Sequence, residues 1–421
     1  MFASPRSALS RRALLAGAAA VPALAAPVLT PRRARAQGTV LRLGVLTDLS
    51  GPYAETAGKG SVAGAQLAAE EAMAASPGLK VEVISADHQN KSDVASGIAR
   101  QWFDEGGVDA VLDMPNSAVG LAVAGVVQQK DKVALISGAG TADLTGPRCS
   151  PNTIHWTFDT WMLARSNGGA LVETGHKTWF FITADYAFGQ ALQRDASAFI
   201  DKAGGKVLGS VAYPFPQTTD FSSFLVQAQA TGAQVLALAN AGQDTTNAIK
   251  QAAEFGLTSN GMTIAAMLMF ITDVHSLGLQ AAQGLVLTET FYWDLNGRTR
   301  AFTSRIASKM RPDWRPDMEH AGTYGAALHY LKAAADMGPA EAKRSGAATV
   351  ARMKAMPTND DAFGPGRIRE DGRKLHPAYL FQVKKPAESK GPWDYYNLIA
   401  TTPADQAARP LDQGKCPFIK A

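Results

Sequence analysis

From Val40 onward, short apolar runs alternate regularly with longer segments of helical period, and this rhythm constrains the fold more than any other feature of the chain. The runs at 40–46, 81–84 and 133–136 have the length of strands. The segment 61–75 between two of them places small apolar residues along one helical stripe. Alternation of this kind predicts a parallel sheet with helices on both of its faces.

The same rhythm starts again near Thr178, which predicts two doubly wound parallel-sheet α/β lobes in tandem. Helical segments at 299–310, 318–337 and 340–355 then follow without strands between them. They must cover an existing sheet, most economically the first one. The chain would therefore cross between the two lobes more than once.

These crossings set the predicted domain boundaries. The first lobe comprises residues 37–157 and 289–365. The second lobe comprises 158–288 and 366–421, which includes the C-terminal tail.

The basic character of the chain belongs to its first 36 residues. That segment contains no acid and six arginines, namely Arg6, Arg11, Arg12, Arg32, Arg33 and Arg35. Without it, the 41 Lys+Arg fall by 6 to 35 against 37 Asp+Glu, so the formal charge becomes −2. Nucleic acid is therefore not an expected partner.

Residues 1–36 also have the parts of an export signal. Arg11-Arg12 precedes an alanine-rich apolar stretch, and Ala34-Arg35-Ala36 has the pattern of a cleavage site. Paired arginines favour a twin-arginine signal, and the Sec route remains the alternative. Both routes lead to the periplasm. No cysteine lies near the cleavage site, so we expect a soluble monomer without a membrane anchor.

The chain has only two cysteines, Cys149 and Cys416. In an oxidising compartment they predict one disulfide, and two unpaired thiols are the alternative. Neither belongs to a metal-binding or redox pattern. The seven histidines are scattered, and the chain contains no HExxH, GxSxG or GxxxxGK[ST] motif. We therefore expect neither an enzyme nor a bound metal or cofactor.

Small and polar residues follow the predicted strands of the first lobe. Ligands of open parallel sheets bind beyond the carboxyl ends of the strands. There, Gly138, Ala139 and Gly140 would let an anion approach the backbone, and Thr141 adds a hydroxyl. Asn116 and Ser117 stand at the start of a predicted helix. Together these residues suggest a carboxylate-binding cradle; ordinary capping and turn formation is the alternative for each.

Similar loops follow the strands of the second lobe. Tyr186 combines an apolar ring with a hydroxyl, which suits the wall of a closing cleft, although it could equally pack on its own helix. Asn240, Gln243 and Asp244 could face a ligand or cap the next helix.

A dinucleotide site is the competing interpretation. Residues 58–63 satisfy GxGxx(G/A), and Asp87 ends the following strand, where a ribose-binding acid could lie. About ten residues separate the first strand from Gly58, whereas a pyrophosphate-binding turn needs its glycines directly at the strand end. This spacing argues against a nucleotide.

Three motifs together resemble the type I periplasmic binding proteins of the branched-chain amino acid class. They are Asp48-Leu-Ser-Gly-Pro52, the segment 136–145, and Tyr186-Ala-Phe-Gly189. The resemblance spans nearly the whole mature chain. It implies two lobes joined by three crossover segments, which clamp a small molecule and deliver it to the permease of an ABC importer.

The resemblance also implies site residues. Ala139 and Thr141 match positions that bind the ligand's carboxylate and amino groups, with Ser117 or Asn116 beside them and Tyr186 on the opposite wall. The sequence departs from the binding-site pattern of this family at three places. No acid stands at 267–270, no second aromatic stands at 241–242, and Thr56 replaces a tyrosine for which Tyr53 could substitute.

The missing acid disfavours leucine or valine as the ligand, because an ammonium group would be buried without a counter-charge. A carboxylate or amide with an apolar or aromatic body would suit Phe270 better. Asp244 could supply the negative charge, so an amino acid remains open. The expected function is a periplasmic solute receptor; the alternatives are an exported NAD(P)-type oxidoreductase and a ligand-sensing receptor for a membrane kinase.

Overall fold

The computed structural model describes residues 39–419. The predicted signal peptide, 1–36, lies outside the described residues. Within 39–419, every helix is too short or too polar to cross a membrane.

Fourteen strands are present in the described part of the chain: β1 Val40–Thr47, β2 Lys80–Asp87, β3 Ala110–Asp113, β4 Val133–Ile136, β5 Thr153–His155, β6 Thr178–Ala184, β7 Lys206–Tyr213, β8 Val235–Ala239, β9 Thr263–Ala266, β10 Val286–Glu289, β11 Arg367–Ile368, β12 Lys374–Leu375, β13 Ala378–Val383 and β14 Tyr396–Thr402.

The α-helices of the same residues are α1 Gly58–Ala75, α2 Ser92–Asp104, α3 Ser117–Gln129, α4 Thr160–Leu163, α5 Ala170–Glu173, α6 Ala187–Lys202, α7 Ser222–Ala230, α8 Gln243–Glu254, α9 Ile271–Leu277, α10 Leu279–Ala282, α11 Gly297–Ile306, α12 Met318–Met337, α13 Pro339–Ala342, α14 Gly346–Ala355 and α15 Ala404–Ala407. A π-helix, Ala164–Gly169, joins α4 to α5. Short 3₁₀ turns occur at Ala142–Thr145, Ala307–Lys309, Pro386–Glu388 and Leu411–Gln413.

The first sheet has the strand order β2-β1-β3-β4-β5, and all of its pairings are parallel. Strands β3, β4 and β5 are buried along their whole length, as expected for strands covered on both faces. The parallel α/β architecture predicted from the alternating pattern is confirmed.

The second sheet has the order β14-β13-β10-β9-β8-β6-β7. Strands β6 to β10 are parallel, whereas β13 and β14 are added in antiparallel orientation at one edge. The carboxyl ends of the parallel strands carry the loops that contain Tyr186, Asn240 and Phe270.

The chain passes between the two sheets three times: after β5, after β10, and between β12 and β13. The tail after β14 then returns to the first lobe. There Arg409 donates a hydrogen bond to the carbonyl of Ala142 at 2.8 Å. The predicted disulfide is present: Cys149 and Cys416 are bonded, with their Cα atoms 5.6 Å apart.

Helix α12 packs along α1 over the first sheet, and two glycines of α1 make this close approach possible. A side chain at Gly60 would overlap the ring of His320, and one at Gly64 would meet the His320 carbonyl and Tyr324. The ring of His320 in turn hydrogen-bonds the Ala57 carbonyl at 3.0 Å. Gly60, the second glycine of the GxG motif, therefore serves helix packing.

Candidate functional site

A small cavity of about 10 Å³ lies where the carboxyl ends of the two sheets face each other. Loops that follow strands of both sheets form its walls, in agreement with the rule for open parallel sheets. The cavity is lined by Tyr53, Thr56, Pro115, Ser117, Gly138, Gly140, Phe158, Tyr186, Phe188, Ala241, Leu268, Phe270 and Glu319. Aromatic and small apolar residues predominate, so its walls suit a small molecule with an apolar body, for which the closed lobes must first move apart.

Direct contacts between the two lobes close the cavity. The hydroxyls of Tyr53 and Tyr186 are hydrogen-bonded at 2.6 Å. Phe215 stacks on both rings, with centroid distances of 5.6 Å to Tyr53 and 4.4 Å to Tyr186. The backbone N–H of Gln243 donates to the Pro52 carbonyl at 3.2 Å. The two tyrosines predicted at the site therefore lie on opposite walls and meet.

The polar groups of the predicted cradle bind one another. The Thr141 N–H donates to the hydroxyl of Ser117 at 3.1 Å, and the Thr141 hydroxyl accepts from the Asp143 N–H at 3.3 Å. The Thr160 N–H donates to the Gly140 carbonyl at 2.7 Å. Ser117 and Gly140 line the cavity, whereas Thr141 is buried behind them and caps a 3₁₀ turn.

Protein side chains occupy the space beside Gly138 and Gly140. A Cβ atom at Gly138 would overlap the carboxyl group of Glu319, and one at Gly140 would crowd the rings of Phe158 and Phe188. Because glycine has no side chain, Gly138 and Gly140 leave room for Glu319, Phe158 and Phe188 of the protein itself. The sequence analysis expected a ligand anion in this space.

Two further predicted residues support the first-lobe wall from outside. Asn116 is the N-cap of α3, where its side-chain oxygen accepts from the N–H groups of Ala118 at 2.9 Å and Val119 at 3.1 Å. Ala139 is fully buried and packs against Gly120 of the same helix. Neither is among the residues that line the cavity.

In the second lobe, Asn240 and Asp244 are also engaged internally. The side-chain oxygen of Asn240 accepts from Thr245 at 2.7 Å, and a carboxylate oxygen of Asp244 accepts from the Tyr213 hydroxyl at 2.7 Å. Burial raises the pKa of Asp244 to about 6. Phe270, in contrast, lines the cavity and meets Phe158 edge to face at 5.8 Å.

Glu319 lines the cavity, although the sequence analysis did not predict it there. It belongs to the first turn of α12 and is 1% exposed. Its Oε1 atom has no hydrogen-bond partner among residues 39–419. Burial, followed by the negative charge of Asp113, raises the pKa of Glu319 well above its usual range. An acid two residues after the N-cap Asp317 is ordinary at a helix start, so the sequence held no sign of a binding role.

The cavity wall contains no lysine, arginine or histidine within the described chain. No group of histidine, cysteine and acidic side chains in residues 39–419 could hold a metal ion. The cavity therefore has aromatic walls, few polar groups and one acid, Glu319, which shares a hydrogen bond with the carboxyl group of Asp113 and keeps one oxygen without a partner in residues 39–419.

The sequence profile of the periplasmic binding protein family matches residues 40–391. A periplasmic binding protein from Burkholderia mallei is 44% identical, with 91% of this chain and 100% of that chain covered at a TM-score of 0.86. A branched-chain amino acid ABC transporter periplasmic ligand-binding protein from Burkholderia xenovorans LB400 is 39% identical, with coverage of 90% and 99% and a TM-score of 0.78.

A solute-binding protein of an ABC transporter from R. palustris, in complex with benzoate, shares the fold at 19% identity, with 86% of this chain and 96% of that chain covered at a TM-score of 0.75. No curated protein resembles the chain closely enough to count as a relative. The profile match and the two Burkholderia structures establish that the chain belongs to the periplasmic binding protein family.

Proposed function

We propose that this member of the periplasmic binding protein family is the solute-binding component of an ABC importer, and that the cavity between its lobes holds the solute. The observation that carries the proposal is the position of the cavity. It lies at the carboxyl ends of both sheets, with walls from both lobes, so binding there would favour the closed arrangement of the two lobes.

The proposed contact residues are Tyr53, Ser117, Gly140, Tyr186 and Phe270. The remaining predicted site residues act behind them: Asn116 and Ala139 hold α3, Thr141 holds Ser117, and Asn240 and Asp244 hold the second-lobe loops.

The proposed ligand is a small organic molecule with an apolar body and a carboxylate, amide or amino group. The B. xenovorans relative is described as a branched-chain amino acid transport protein, and the R. palustris structure contains benzoate. Both compound classes combine an apolar body with a charged group, and the rings of Phe158, Phe188 and Phe270 suit such a body.

We further propose that the chain works as a monomer in the periplasm, catalyses no reaction and delivers its ligand to a membrane permease. A dinucleotide is disfavoured, because His320 fills the space beside Gly60. No observation favours a sensory role over transport.

The test is to purify the chain from the periplasm, release bound small molecules by denaturation and identify them by mass spectrometry. Ala241→Phe places a ring in the cavity, and Ala340→Phe places the same ring on the exposed helix α13 as a control. We expect the wild type and the control to carry the same solute and Ala241→Phe to carry none. A folded Ala241→Phe variant that retains the solute would contradict the proposal.

A further inference from the structure

We infer that Glu319 is the residue that recognises the charge of the ligand, and that the ligand carries a positively charged amino group which binds the Glu319 carboxylate directly. The inference rests on the proposed function, because it names the class of solute that the same cavity would take.

The first argument is geometric. Helix α12 belongs to the segment that crosses back to the first lobe, and its first turn brings the Glu319 carboxyl group against the backbone of Gly138. The Glu319 side chain is buried and forms part of the cavity wall, and its Oε1 has no partner within residues 39–419. A buried, unpaired carboxyl oxygen is costly unless a ligand completes it.

The second argument is the sign of the surrounding charge. The carboxyl groups that act on Glu319 are those of Asp113, Asp317 and Asp48. The neighbouring histidine, His320, is neutral at physiological pH, because burial lowers its pKa to about 4. With no cation in the described cavity wall, an anionic group would find no counter-charge beside Glu319, whereas an ammonium group would favour the ionised form of this carboxyl group and so offset the effect of its burial.

The third argument is that the other candidate acid is already engaged. Asp244 accepts a hydrogen bond from Tyr213, and it is not among the residues that line the cavity. Residues 267–270, where the family resemblance places an acid, are Met-Leu-Met-Phe. Glu319 thus offers, from the first-lobe side, the negative charge that the second-lobe wall lacks.

The experiment uses probes that differ only in their charged groups. The aromatic set is L-phenylalanine, 3-phenylpropanoate and 2-phenylethylamine, and the aliphatic set is L-valine, 3-methylbutanoate and 2-methylpropylamine. Because a ligand that binds the native state stabilises it, thermal shift and calorimetric titration of the mature chain rank them. We expect only probes with an amino group to bind.

Glu319→Gln keeps the shape of the side chain and removes its charge, and the exposed Glu341→Gln is the matched control. We expect Glu319→Gln to weaken the amino-bearing probes about 10- to 100-fold, the range for a lost charge-assisted hydrogen bond. The control should bind as the wild type does. The melting temperature of ligand-free Glu319→Gln should not fall, since an uncompensated buried acid is removed.

A measurement without variants accompanies these titrations: the solute released from the wild-type protein is tested for a primary, secondary or quaternary amine. An amine supports the inference. A natural solute without one, or a carboxylate probe that binds as tightly as its amino-bearing counterpart, overturns it. In either of those cases the receptor function still stands, because a solute is bound; release of no solute from the wild type would instead count against the proposed function.

Discussion

Tyr53 and Tyr186 join the two lobes through their hydroxyl groups, which are 2.6 Å apart. Both rings lie in the cavity wall, and both stack on Phe215. At the scale of the residue, closure of the cleft therefore depends on the rings of Tyr53, Tyr186 and Phe215 and on the hydrogen bond between the two tyrosine hydroxyls.

Replacing either tyrosine by phenylalanine should weaken ligand binding by about 1 kcal/mol, or about fivefold, because the closed state loses a hydrogen bond and leaves one buried hydroxyl unpaired. The double variant should lose no more than the sum of the two single variants. Calorimetric titration with the native solute measures all three, and Tyr379→Phe on β13 is the control. Equal affinity in all variants would show that the pair does not contribute to closure.

The cavity wall was only partly predictable from single residues. Tyr53, Ser117, Gly140, Tyr186 and Phe270, which were predicted as ligand contacts because they follow strands of a parallel sheet, line the cavity. Asn116, Thr141, Asn240 and Asp244 follow strands in the same way but bind their own loops. A side chain that caps a helix and one that binds a ligand have the same local sequence signal.

Glu319 could not be predicted for a different reason. Glu319 lies against Gly138, which is 181 positions earlier in the sequence. Such a contact arises only when the chain crosses back to the first lobe, and no local pattern encodes it.

At the scale of the element, long buried helices were predicted best. Strand β4 and helix α12 have the predicted bounds, and helix α3 begins where it was predicted to begin. Strand β14 was missed because residues 397–401 are exposed, so the strand shows no alternation of apolar and polar residues. Strands β5 and β9, of three and four residues, were not among the predicted strands.

A buried ion pair joins the first and third crossings. Arg373 precedes β12, Asp159 caps α4, and the Arg373 Nε and Asp159 Oδ2 atoms are 3.1 Å apart with both side chains almost fully buried. Arg373 also donates to the Thr157 carbonyl at 2.5 Å. This pair fixes the strand-like segment at Arg373 to the edge of the first sheet beside His155.

Asp159→Asn should lower the free energy of unfolding by about 3 to 5 kcal/mol, because it leaves the Arg373 guanidinium buried without a counter-charge. Chemical denaturation of the ligand-free protein measures the change. Glu341→Gln, which breaks the exposed pair with Arg344, should change it by less than about 1 kcal/mol. Similar small effects for both variants would contradict the importance of the buried pair.

At the scale of the whole molecule, the disulfide ties the tail beyond β14 to the first lobe across 267 residues of sequence. Replacing both Cys149 and Cys416 by serine should lower the free energy of unfolding by about 2 to 5 kcal/mol, mainly because the unfolded chain regains freedom. Denaturation of the variant and of the oxidised wild type measures the difference. An unchanged midpoint would show that the tail contributes no constraint.

The pH dependence of stability follows from two sets of buried groups. Burial lowers the pKa values of His88, His320 and His329 to about 4 and those of His155 and His376 to about 3. These histidines make stability rise with pH only up to about 6.5, the pKa of histidine in the unfolded chain. Burial also raises the pKa of Asp273 to about 7, and those of Glu289, Asp317 and Glu319 well above their usual range.

Between pH 7 and 8 these acids outweigh both the histidines, which are then largely neutral in either state, and Lys374, whose pKa burial lowers to about 8, so the folded protein binds more protons than the unfolded chain. The free energy of unfolding should therefore fall as pH rises, by about 1.4 kcal/mol per pH unit for each carboxyl group that stays protonated. Denaturation of the ligand-free protein at both pH values measures the slope, which should be shallower in Glu319→Gln. A stability that rises over this interval would contradict the assignment of these acids as protonated.

The most direct test of the central claim is a crystal structure of the mature chain with the solute released from the native protein. We predict that the solute lies in the cavity between the lobes, with its apolar body between Phe158, Phe188 and Phe270 and its amino group on Glu319. A solute bound outside this cavity, with Tyr53 and Tyr186 still joined over an empty space, would contradict the account.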